Sequence, residues 1–184
     1  MYYDPQTNQP RRSKVYLVCG APAKSLQNSR KQRKGENGMY YDVQLNRPMP
    51  SKVFLVCGAP ASGKSTYVNE RKLPGDFILD LDVLRQALGA PSKTSECFQA
   101  QVLAIRELLY NHIGFNRIGA KTIWVISGLP DREIRLATAK RLNAEIVFIN
   151  TPYEKCIAHA MADSTRKDKD KQRQIINEYF SKLS

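Results

Sequence analysis

Four short apolar runs carry the hydrophobic pattern of this chain: Lys52-Val-Phe-Leu-Val-Cys57, Phe77-Ile-Leu-Asp80, Thr122-Ile-Trp-Val-Ile126 and Glu145-Ile-Val-Phe-Ile149. Each is continuous rather than alternating, the pattern of strands covered on both faces. Between them the apolar positions change period. Residues 66 to 72 continue as a helix after a glycine-rich turn. Val83 to Leu88 form a short helix stopped by Gly89 and Pro91. Phe98, Val102, Ile105, Leu109 and Ile113 keep helical spacing, which predicts an amphipathic helix from Glu96 to His112. Asp131 caps a helix that runs to about Leu142. Thr151-Pro-Tyr-Glu154 reads as a capping box with proline in the first turn of a helix ending near Ala162. Asp163 to Lys171 is charged and without core positions. Ile175, Ile176, Tyr179, Phe180 and Leu183 then give a last helix its apolar stripe.

Strands that alternate with helices predict an α/β fold, a three-layer sandwich with a mostly parallel central sheet. Right-handed crossovers place the carboxyl ends of such strands along one rim, where ligands bind. That rim gathers the turn after Cys57, then Asp80-Leu-Asp82, Ser127-Gly128 and Thr151-Pro152.

The turn after Cys57 is Gly58-Ala-Pro-Ala-Ser-Gly-Lys-Ser65, which fits G-x-x-x-x-G-K-[ST], the phosphate-cradling loop of a P-loop NTPase. A triphosphate cannot be held by one side chain per oxygen. Inward main-chain N–H groups and the positive end of the following helix do it instead. Gly58 and Gly63 permit close approach and unusual dihedrals. Lys64 places a point charge on the outer phosphates, and Ser65 offers its hydroxyl to Mg²⁺. Gly58, Ala59, Pro60, Ala61, Ser62, Gly63, Lys64, Ser65 and Thr66 form the expected nucleotide-binding set, with ATP as the nucleotide.

The start of the chain repeats this region imperfectly. Met1-Tyr-Tyr-Asp4 recurs as Met39-Tyr-Tyr-Asp42, and residues 13–23 recur with one exchange as residues 51–61. The first copy then reads Lys24-Ser25 where the second has Ser62-Gly63-Lys64-Ser65. Without those two residues the first loop cannot wrap a phosphate. The expected organisation is a degenerate partial duplication and basic linker over residues 1–38, poorly ordered or packed at a sheet edge, and a kinase-like domain over residues 39–184. A basic nucleic-acid arm is the other reading of that leader.

Charge and cysteine content narrow the partners. The 184 residues carry a net charge of +12, compatible with a nucleic-acid partner. Half of that excess falls in the first 38 residues, where eight lysines and arginines face two acids. The apolar content of 42% suffices for a core, and no run approaches the ~18 residues of a membrane span. Four cysteines without metal spacing are expected as reduced thiols in a cytoplasmic protein. His112 and His159 stand alone, with a structural or surface role expected for both.

A second cluster lies in Asp80-Leu-Asp-Val-Leu-Arg85. Asp82 and Arg85 sit three residues apart at a helix start and share a face. A carboxylate there can take the proton of an attacking hydroxyl, and an arginine one turn on can hold an anionic group. With the phosphate loop and the late charged segment, this D-x-x-R pair resembles P-loop kinases of the polynucleotide 5′-kinase and zeta-toxin type. The wording of the apolar runs is similar to that of small phage-encoded ATP-binding proteins. The resemblance spans residues 51–184. It implies Asp82 as general base, Arg85 as contact to an acceptor phosphate, and Lys64 with Ser65 as the ATP and Mg²⁺ site. It also implies a lid arginine, for which Arg166 is the candidate within a segment that reads equally as a solvated charged loop. The third strand ends in Ser127 where strict ATPases place an acid; Asp80 is the expected second metal ligand beside Ser65.

The function expected is transfer of the γ-phosphate of ATP to a hydroxyl, on a nucleic-acid 5′ end, a nucleotide or a small metabolite. An AAA-type ATPase and a non-catalytic nucleotide- or nucleic-acid-binding module are the alternatives. Oligomeric state is not encoded in these patterns.

Overall fold

A computed structural model describes residues 2–3, 10–11, 39–91, 97–166 and 168–183. The chain divides into two compact units, Met1–Gln32 and Arg33–Ser184. In the first, β1 (Tyr2–Tyr3) pairs antiparallel with β2 (Pro10–Arg11), Tyr2 opposite Arg11. The remainder of the expected duplication and linker lies outside the described residues.

The second unit opens with a hairpin that the apolar pattern did not predict. β3 (Tyr40–Asp42) and β4 (Arg47–Met49) pair antiparallel, with Tyr40 opposite Met49. The turn is built locally: Asp42 Oδ1 accepts from the main-chain N–H of Gln44 and Leu45, and Asn46 takes the left-handed conformation. Counted from the repeated Met-Tyr-Tyr-Asp, this is the same register as β1 with β2.

Every expected strand forms. β5 (Lys52–Gly58), β6 (Phe77–Asp80), β7 (Thr122–Ser127) and β8 (Ala144–Ile149) make one parallel sheet in the order β6-β7-β5-β8. Between them lie α1 (Lys64–Arg71), α2 (Leu81–Ala87), α3 (Gln99–Gly114) and α4 (Arg132–Leu142); α5 (Tyr153–Ala162) and α6 (Lys169–Ser181) follow. The sheet is covered on both faces, as continuous apolar strands require. Along β5, Val53, Leu55 and Cys57 face a core completed by Tyr110 and Ile113 of α3 and Leu142 of α4. The alternate residues Phe54 and Val56 face Val68 of α1 and Trp124, with Phe54 stacked on the Trp124 ring at 4.6 Å. A third cluster joins α5 and α6 to the phosphate loop through Ala59, Cys156, Ala160, Ile176 and Tyr179. This is the P-loop α/β sandwich expected.

Four helix starts differ from expectation. α1 begins at Lys64 rather than Thr66, directly on the turn at Gly63. α2 begins at Leu81, two residues early, because Asp80 caps it through Oδ1 to the Asp82 N–H at 2.9 Å. α3 begins at Gln99, because Phe98 sits before it with φ of 61°, outside the right-handed region. The capping box at Thr151 is not made: Pro152 is the cap and no side chain bonds there. The Thr151 hydroxyl is used elsewhere, as described below. Among the described residues no helix is long and apolar enough to cross a membrane.

Candidate active site

The site begins at the C-terminal end of β5. A Cβ on Gly58 would lie 2.7 Å from the Ile149 carbonyl oxygen and 2.8 Å from Ser62 Oγ, so only glycine fits the seam between β5 and β8. Gly63 has open space around it but a φ of 92°, the left-handed turn that launches α1. The first bond inside α1 runs from Tyr67 N–H to the Gly63 carbonyl at 2.9 Å. The N–H groups of the turn before it have no intrahelical acceptor, an arrangement able to take an anion.

The loop is tied in place by side chains. Lys64 Nζ donates to the carbonyls of Gly58 at 2.9 Å and Ala59 at 2.6 Å, closing the loop over its own strand. The Thr151 hydroxyl donates to the Ser62 carbonyl at 2.8 Å, and His159 Nδ1 lies 3.1 Å from the Ala61 carbonyl. Ala61 itself has a φ of 59°. Neither Thr151 nor His159 was expected to touch the loop. No local pattern could have shown it, because the partners are 89 and 98 residues apart. Burial drives the Lys64 ammonium down to about 8, with Asp82 and Asp80 opposing.

On the neighbouring side, Asp80 ends β6. While Oδ1 caps α2, Oδ2 accepts from Ser65 Oγ at 3.3 Å. Asp82 follows in the first turn of α2, its side chain 57% exposed and therefore reachable from the cleft. Loss of water around it, then the Asp80 charge, raise the Asp82 carboxyl above the usual carboxylate range; Arg85 opposes. Arg85 is 12% exposed, with Nη1 on Asp82 Oδ1 at 3.0 Å and Nη2 on Gln99 Oε1 at 2.8 Å.

One cleft of about 850 Å³ joins these groups. Its walls include Lys64, Ser65, Asp80, Asp82, Arg85 and Arg166, with Ser127 and Gly128 at the end of β7. Of the expected nucleotide set, Pro60 to Thr66 line it, while Gly58 and Ala59 lie behind. Arg166 reaches it from the turn between α5 and α6. That turn is not a loose solvated loop: Asp163 Oδ2 accepts from Arg166 Nε at 3.1 Å, and Asp163 Oδ1 accepts from Thr165 N–H at 2.9 Å.

Among the described residues no group of three or more His, Cys, Asp or Glu side chains could hold an ion. The donor set at Ser65 and Asp80 still suits Mg²⁺. A hydroxyl and a carboxylate, hard oxygens already within bonding reach, match an ion that keeps most of its shell for water and phosphate.

No curated protein matches the chain. Among solved structures, a chain of the "Pnkp1/Rnl/Hen1 RNA repair complex" superposes with a TM-score of 0.51 at 13% identity, covering 78% of this chain and 49% of that one. The chain thus spans about half the length of that relative. Shikimate kinase from Bacteroides thetaiotaomicron superposes with a TM-score of 0.49 at 18% identity, covering 71% of this chain and 78% of that one. The first likeness shows a shared fold. The profile of the AAA domain family (AAA_33) matches residues 53–179. That span holds the phosphate loop, the Asp82–Arg85 pair and Arg166, and the chain belongs to the AAA domain family.

Proposed function

We propose that this protein is a phosphotransferase of the polynucleotide 5′-kinase type, moving the γ-phosphate of ATP to a hydroxyl acceptor. One observation carries the reading: a single cleft brings together a phosphate loop, a reachable carboxylate, and the arginines Arg85 and Arg166 from separate elements. A site for binding alone has no use for a proton acceptor opposite the loop; hydrolysis would use one on water, so the assay below separates water from a hydroxyl acceptor.

In this reading the loop and the start of α1 hold the phosphates, and Lys64 turns from the Gly58 and Ala59 carbonyls to the outer phosphates. Mg²⁺, held by Ser65 and Asp80, supplies charge neutralisation on the phosphates when bound. The acceptor oxygen attacks the γ-phosphorus, its proton passes to an Asp82 oxygen, and the bond to the β–γ bridging oxygen breaks, releasing ADP. A raised carboxyl pKa improves Asp82 as a base at neutral pH. Arg85 holds Asp82 in place and adds positive charge on the acceptor side; Arg166 adds it over the transferred group.

The acceptor classes are a nucleic-acid 5′ hydroxyl or a nucleotide. The basic chain and Arg85 favour them over a small metabolite. The test is transfer from γ-labelled ATP to 5′-hydroxyl oligonucleotides, nucleotides and sugars. Asp82→Asn should lower transfer about 100-fold while ATP binding stays intact. Full transfer by that variant removes the base assignment, and hydrolysis without transfer to any acceptor favours an AAA-type ATPase.

A further inference from the structure

The most deeply buried polar side chain among the described residues is Gln172, 2% exposed, in the first turns of α6. A buried amide without partners costs about 1–3 kcal/mol, so such a residue calls for a specific acceptor or donor. Its Oε1 accepts from Arg166 Nη1. The same guanidinium donates from Nε to Asp163 Oδ2 at 3.1 Å. Arg166 is therefore gripped on two sides, one buried and one exposed.

The turn that carries it is stitched at both ends. Asp163 Oδ1 takes the Thr165 hydroxyl at 2.6 Å, and Lys169 Nζ donates to the carbonyls of Ala160 at 3.1 Å and Asp163 at 2.6 Å. The guanidinium so held lines the same cleft as Lys64 and Ser65. Arg166 thus faces both halves of the site from a position that substrate does not have to create.

We propose that Gln172 is a positioning residue for the terminal phosphate of a nucleoside triphosphate: it presets Arg166 beside the phosphate loop before nucleotide arrives. This rests on the reading that the cleft holds ATP. An arginine already ordered loses no rotamer freedom on binding, so its charge-assisted bond is realised in full. The chain then distinguishes ATP from ADP without any acceptor present.

The test is the ratio of ATP to ADP affinity in the full-length chain, for the parent, Gln172→Met, Arg166→Ala and the double variant. Gln172→Met keeps the side-chain volume and removes the acceptor. It should reduce the ratio about tenfold with ADP affinity nearly unchanged, and the double variant should lose no more than Arg166→Ala alone. If Gln172→Met does not fold by thermal melting, Asp163→Asn loosens the same guanidinium from the exposed side and should reduce the ratio in the same way. An unchanged ratio in a folded Gln172→Met beside a reduced one in Arg166→Ala overturns the proposal, as does full additivity. An unaltered chain that binds no ATP overturns it together with the kinase reading. A chain that keeps the ratio effect but transfers phosphate to nothing contradicts the kinase reading alone.

Discussion

The two walls of the cleft are held by different means. The phosphate-loop wall is local in its chemistry, with struts from Thr151 and His159 as its distant supports. Eight consecutive residues supply its glycines, its lysine and its helix start, and Lys64 closes it on carbonyls five and six residues back. The opposite wall, around Arg166, is assembled from α5, α6 and the turn between them, with its buried anchor on a different element. A local device is written into adjacent residues; a wall made of tertiary contacts is not. The two therefore differ in how much of them can be read in advance, and in what breaks them.

The largest effect is expected at the local wall. Lys64→Ala removes both carbonyl ties and the ammonium that the proposed reading places on the phosphates. Phosphate transfer should fall by at least about 100-fold, measured with γ-labelled ATP. Retention of parent-like ATP use by that variant would end the phosphotransfer proposal. The Arg166 wall should respond more mildly, through selectivity between nucleotides.

A second measurement sharpens the contrast through protons. In the unfolded chain Lys64 titrates near its ordinary ~10.4; in the folded chain burial holds it at about 8. Between these values the folded site has lost a proton that the unfolded chain still binds, so this group adds stability as pH rises through the window. Bound phosphates reverse the shift by favouring the charged ammonium. ATP binding at pH 8.5 should take up a fraction of a proton, and at pH 6.5 none through this group. Calorimetry in two buffers of different ionisation enthalpy reads it, and Lys64→Arg should abolish the uptake.

The smallest effect is expected where the walls touch the rest of the rim. Thr151→Val deletes the hydroxyl on the Ser62 carbonyl, costing about 1 kcal/mol of stability. A few-fold rise in the KM for ATP should accompany a lowered denaturation midpoint.

These residues also show how much was legible. Four strands, the parallel sandwich and the loop came from apolar runs and one spaced motif, because buried strands and phosphate cradles both impose local composition. The Asp82–Arg85 pair was legible from helical spacing, and the structure joins the two at 3.0 Å. Thr151 was misread as a helix cap. Its hydroxyl has two possible uses, and only the folded chain brings the Ser62 carbonyl within reach. His159 and Gln172 gave no signal at all, since nothing adjacent to either residue distinguishes a loop strut or a buried anchor from a surface polar side chain. The β3–β4 hairpin was missed because its strands are too short to show alternation.

Asp80 has a consequence of its own. Its two oxygens face different tasks, one anchoring the first turn of α2 and the other reaching Ser65. In the proposed reading, a cation taken up by the second oxygen would draw on the same carboxyl plane that steadies the backbone N–H of Asp82, so that ion and helix start would be geared together through one side chain.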